Sequence, residues 1–137
     1  MSMLNKLVVD VKDAWVSYPG ISGFEVQLAY HSRPRLVKMR KDCMITKIDR
    51  KTRVPMEVLD EDRFVEEFAN SMIKGWKGLT LEGLQDLLAM DLSDQDLDTE
   101  VPYTKEDALI LVKNSSEFET WLNEVVFDLQ NFRSKGD

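Results

Sequence analysis

Between Leu59 and Thr80 apolar side chains fall at every fourth position, Phe64, Phe68, Met72 and Trp76, with Val65, Ala69 and Ile73 one residue on. At about 3.6 residues per turn these positions share one face and Glu66, Glu67, Asn70, Ser71 and Lys74 take the other, so the pattern predicts a helix over 60–77 that buries Trp76. Asp60, Glu61 and Asp62 at its start and Lys74 and Lys77 at its end suit the helix dipole, and Gly75 or Gly78 would end it. Upstream, Phe24, Val26, Leu28 and Tyr30 alternate with Glu25, Gln27 and Ala29, the period of a half-buried strand. With Ala14–Tyr18 before Pro19-Gly20, this predicts a hairpin over 14–30.

Further helices are expected over 32–44, capped by Ser32, over 81–90, weakened by Gly83, over 104–113, and over 116–132. Thr104 with Asp107, and Ser116 with Glu119, have the three-residue spacing of helix-start caps. Thr46–Pro55 carries no helical stripe and reads as a connection or short extended segment; Asp91–Glu100 reads as an acidic loop. In the last helix Phe118, Leu122, Val125, Leu129 and Phe132 form the core seam, which turns Phe127 outward. Ala108–Val112 is apolar all round, the mark of a turn that is wholly buried or covered by a partner. Arg133–Asp137 should fray. The fold class expected is α+β, mainly α: an N-terminal hairpin and about five helices in one domain.

Charge changes this picture, because the net −7 is unevenly spread. Residues 31–55 hold nine bases against two acids, and residues 56–137 hold twenty acids against seven bases. Either the halves neutralise one another within the monomer, or the basic part of one copy meets the acidic part of the next. Arg35, Lys38 and Arg40 are the candidates for such self-association.

Candidate chemistry adds little. One cysteine, Cys43, and one histidine, His31, allow neither an internal disulfide nor a Cys/His zinc set. Cys43 reads as a small buried hydrophobe and His31 as a surface or capping residue. No glycine-rich phosphate loop is present. The alternation Asp94, Asp96, Asp98, Glu100 fails as a calcium loop, with Thr99 where glycine is needed and Lys105 where glutamate belongs. No catalytic, cofactor-binding or metal-binding residues are assigned, and the lack of a long apolar span argues for a cytosolic protein without a membrane partner.

In the C-terminal half, ANSMIKGWKGLT, VPYTKEDALILV and FETWLNEVVFDLQNF together resemble the tail assembly chaperones of long noncontractile-tailed bacteriophages. Ile73, Gly75, Trp76 and Gly78 match an Ile-x-Gly-Trp-x-Gly-like element, and Pro102, Tyr103, Thr104, Glu106 and Ala108 match a second, Pro-aromatic-Ser/Thr-x-Glu-Asn-Ala. Asp107 replaces the usual Asn, and Leu79–Val101 is longer and more acidic than the usual link. The resemblance implies a non-catalytic protein of the host bacterial cytoplasm, not retained in the mature virion. It would bind the tape measure protein, keep it soluble while tail-tube subunits polymerise around it, and form homo-oligomers. Leu109, Ile110 and Phe127 are then the candidate partner contacts. The alternative is a nucleic-acid-binding regulatory protein using the basic segment 33–53, against which the acidity of the whole chain weighs.

Overall fold

A computed structural model of the chain describes residues 2–133, which leaves most of the fraying expected for the tail outside the described residues. Among the described residues helix accounts for about 42% and strand for about 23%, in six helices and two small antiparallel sheets, so the expected mainly α architecture is incorrect. Two stretches account for the difference: Thr46–Pro55 belongs to a hairpin, and the central helix gives way to a strand.

The order is α1 (Met3–Leu7), β1 (Val11–Ser17), β2 (Glu25–His31), α2 (Arg33–Asp42), β3 (Met44–Ile48), β4 (Pro55–Leu59), α3 (Glu61–Met72) and β5 (Ile73–Lys77). Then follow α4 (Leu81–Leu84), α5 (Lys105–Asn114), α6 (Ser116–Val126) and a short 3-10 turn, Leu129–Phe132. β1, β2 and β5 form a three-stranded sheet in that order; β3 and β4 pair only with each other.

The helix that begins at Asp60 does so as its sequence dictates: the Asp60 carboxylate accepts from the Arg63 N–H, and Glu61 and Asp62 fill the first turn. It ends at Met72 rather than near Gly78. Ile73 is already extended, and Trp76 pairs with Val26. The register shifts by one residue here: Gly75 faces Gln27 and Ile73 faces Leu28, leaving Lys74 as a bulge. A bulged strand puts residues i and i+3 on one face, as a helix does, so Ile73 and Trp76 both reach the core while continuing the helical pattern. Gly78 then turns the chain at φ 76°, where a Cβ would strike the Gly23 carbonyl.

The sheet's inner face, with Val26, Leu28, Ile73 and Trp76, packs on α3, α5 and α6 in one core that includes Phe24, Met72, Leu111, Phe118 and Leu122. Trp76 is buried, as its place in the stripe requires. α4 is a single turn, far shorter than 81–90. The last helix stops at Val126 instead of reaching 132. Its end is closed by the Asn131 amide, which donates to the Val125 carbonyl at 3.1 Å, while Asp128 caps the 3-10 turn. Leu129 is consequently exposed and Phe132 is buried beside Tyr30. α6 is capped by Ser115, one residue before the expected cap. Ser32 takes the N-cap position of α2 as expected, but its side chain makes no capping bond; its hydroxyl donates to Asp10 at 3.0 Å and ties the start of β1 to the end of β2.

The β3–β4 hairpin stands apart from this body. Its base is half-buried and joined by Asp60 N–H donating to the Cys43 carbonyl at 2.8 Å; its tip is almost wholly exposed. No residue from 44 to 59 belongs to the main core.

Candidate functional site

The motif halves that carry the resemblance meet in space. The Trp76 indole N–H donates to the Val101 carbonyl at 2.9 Å, and the Tyr103 hydroxyl donates to the Ile73 carbonyl at 3.1 Å. The two rings cross edge to face, with centroids 5.3 Å apart. Thr104 accepts from the Asp107 N–H at 3.0 Å and starts α5, as expected. These residues therefore clasp β5 to the chain entering α5 and set up the surfaces on either side of that helix; Trp76, Val101 and Asp107 also line one of them.

Two apolar grooves flank α5. The first, about 210 Å³, lies between α3 and α6 and is lined by Phe64, Val65, Phe68 and Val112 with Glu61, Glu119 and Asn123 at its rim. Phe127, 52% exposed, is not part of this lining, but its ring centroid lies 6.3 Å from that of Phe68, which is. The second, about 130 Å³, lies between α4 and α5 on Leu81, Leu84, Leu88 and Val101, with Ile110 and Asp107 beside it.

The structure thus separates the three expected contact residues. Phe127 belongs with the first groove, and Ile110, 45% exposed, with the second. Leu109 is half-buried against the core. Phe64 and Val65, which the sequence pattern assigns to the buried stripe, are partly exposed groove walls. Their place near the open N-terminal end of α3 was the available signal.

Of the three basic candidates on α2, Arg35 Nε donates to His31 Nδ1 at 3.2 Å and Lys38 pairs with Asp42 at 2.8 Å, an exposed pair that contributes little to stability. Arg40 is exposed.

His31 is buried, at 4% exposure, and not a surface residue. With Nδ1 accepting from Arg35, its Nε2–H donates to the Ser71 carbonyl at 2.9 Å, the tautomer of a neutral ring. Burial holds its pKa below the ordinary histidine value, with Arg35 and Lys74 pulling the same way against the Ser71 carbonyl and Asp13. Nε2 thus holds the end of α3 on β2 while Nδ1 takes Arg35 of α2, so both ring nitrogens are already hydrogen-bonded. Cys43 is fully buried, as expected, and burial pushes its thiol pKa up.

Among the described residues no group of three or more His, Cys, Asp or Glu could hold a metal ion, and no helix is long and apolar enough to cross a membrane. Comparison of the chain with protein-family models, curated proteins and solved structures gives no match.

Proposed function

We infer that this protein works by binding, as a phage tail assembly chaperone that shields the tape measure protein before the tail tube encloses it. The observation that carries this reading is the α3–α6 groove, whose apolar walls stay open to solvent with the exposed Phe127 ring packed near the lining residue Phe68. A long helical client aggregates through its apolar stripe; a groove with a few deep contacts can cover that stripe one anchor side chain at a time. At about 210 Å³ the groove receives an anchor, not a whole helix, so shielding a long client takes many copies side by side. Glu61 and Glu119 at the rim favour client helices with lysine or arginine beside the apolar stripe.

The resemblance adds support through Trp76, Gly78, Pro102, Tyr103 and Thr104, which join β5 to α5 and so fix the angle of the helix between the grooves. The test is co-expression with a tape measure segment from the same genome. The expected result is a soluble segment that co-purifies with the wild-type protein and is recovered poorly with Phe127→Ser. A segment that stays insoluble beside abundant, folded protein sinks the proposal.

A further inference from the structure

The β3–β4 hairpin exposes apolar side chains that its own chain does not cover. Ile48 is 67% exposed, and Val54 and Met56 also lie open. A two-stranded ribbon is marginal alone in water, and both outer edges of this one are unpaired. The tip is also strongly basic, with Lys47, Arg50, Lys51 and Arg53 all exposed. Among the described residues the ion pairs are Lys38–Asp42 and Lys77–Glu25, so the cations of the tip have no carboxylate partner.

The complementary surface lies elsewhere on the same chain. The α4–α5 groove has a floor of Leu81, Leu84 and Leu88, with Ile110 at its side. Asp107 lines it, and Glu82, Asp86 and Glu106 are exposed carboxylates on the segments that wall it. The adjoining loop 91–100 holds five acids and no base, and its backbone is stitched to α4 by Leu81 and Glu82 N–H groups donating to the Thr99 and Leu97 carbonyls, each at 3.0 Å. None of these carboxylates forms an ion pair among the described residues.

One surface is apolar with a positive rim and the other apolar with a negative rim. We propose that the β3–β4 hairpin of one copy docks in the α4–α5 groove of a second copy, Ile48 or Met56 entering the apolar floor and the tip's arginines meeting the acidic rim. The exposed aliphatic groups favour a protein occupant over a nucleic acid, whose backbone offers them nothing. Because donor and acceptor surfaces differ, the contact is heterologous: each bound copy presents a fresh hairpin and a fresh groove, and the result is a chain or ring rather than a closed two-fold dimer. This inference does not rest on the chaperone proposal: failure of the client test leaves it standing, and a monomeric protein leaves that proposal standing.

Sedimentation velocity on the full chain over a concentration and salt series tests it. Wild type should associate, less so in high salt. A donor-defective variant, Arg50→Glu with Arg53→Glu, and an acceptor-defective variant, Glu82→Lys with Asp86→Lys, should each raise the self-dissociation constant about tenfold or more. Mixed, they pair an intact hairpin with an intact groove and a charge-reversed hairpin with a charge-reversed groove, so the mixture should regain the association that each variant alone has lost. Circular dichroism checks that each is folded, and Asp94→Lys replaces the acceptor variant if that pair unfolds. A wild type that is monomeric throughout, variants that associate like wild type, or a mixture that gives no complex would overturn the proposal. Monomeric wild type that instead binds a short nucleic-acid duplex, with steep salt dependence lost on Arg50→Glu and Arg53→Glu, would assign the hairpin to that partner.

Discussion

In the body of the molecule, Phe24, Phe118, Leu28 and Leu122 are wholly covered by the three-stranded sheet and the helices on its inner face. In the β3–β4 hairpin, Ile48, Val54 and Met56 face water on a ribbon that packs against nothing beyond its base. Residue type is similar in both places; what differs is whether a second layer lies opposite. An apolar side chain stabilises the monomer only in proportion to the surface it removes from water. The hairpin's apolar groups are therefore almost neutral for folding and available for association, while those of the body are the reverse.

Removing a central side chain from the body should produce the largest effect. Phe118→Ala is expected to cost about 3–5 kcal/mol, measured as a shift in denaturant midpoint. A loss under about 1 kcal/mol would mean that α6 packs more loosely than its full burial implies. Next comes the turn behind β5. Gly78→Ala forces a Cβ toward the Gly23 carbonyl at positive φ and should cost more than about 1 kcal/mol by the same assay. A neutral result there would place the turn in a different conformation.

The His31 latch should give a smaller, pH-dependent effect. Its folded-state pKa lies below the ordinary value of 6.5, so the folded protein prefers the neutral ring. The stabilisation is whole above that ordinary value and is lost as pH falls through the lower folded-state pKa. Thermal stability should fall on acidification from about pH 7 to about pH 5, and His31→Gln should flatten that part of the profile. An unchanged slope in the variant would assign the acid sensitivity to carboxylates instead. The hairpin tip closes the series: Ile48→Ser should change monomer stability by no more than about 0.5 kcal/mol. A much larger loss would show that the tip is buried against its own chain, and the contrast between the two regions would fail.

The parts of this fold that can be read in the sequence are those with local causes. β2 shows its alternation, Thr104 and Asp107 their cap, and Phe118 and Leu122 the inward side of α6. β5 was hidden because its bulge reproduces a helical spacing, so Trp76 is correctly placed in the core but on the wrong element. The second hairpin was hidden for a different reason. Its turn, closed by Arg53 N–H donating to the Asp49 carbonyl at 2.7 Å, uses Arg53 at φ 58°, where glycine or asparagine would have signalled it. Of the three residues that the sequence offers as partner contacts, two, Ile110 and Phe127, are exposed. The sequence could not show that they sit on different grooves, since that depends on which helices flank α5.

The clasp at Trp76 and Tyr103 bears on how this chain can vary. Leu79 and Val101 are themselves joined, the Val101 N–H donating to the Leu79 carbonyl at 2.7 Å, and Thr80 bridges Glu100. Just inside this neck Leu84, Leu87 and Leu88 still pack on the core, and the acidic residues 91–100 that follow them loop out and return through it. The long acidic stretch that departs from the chaperone pattern lies inside that neck, so its extra residues do not move β5 away from α5. Lengthening such a pinned loop is inexpensive, about 0.6 kcal/mol for each doubling. Evolution could rewrite the stretch, and an experimenter could splice an epitope into it, without retuning the core.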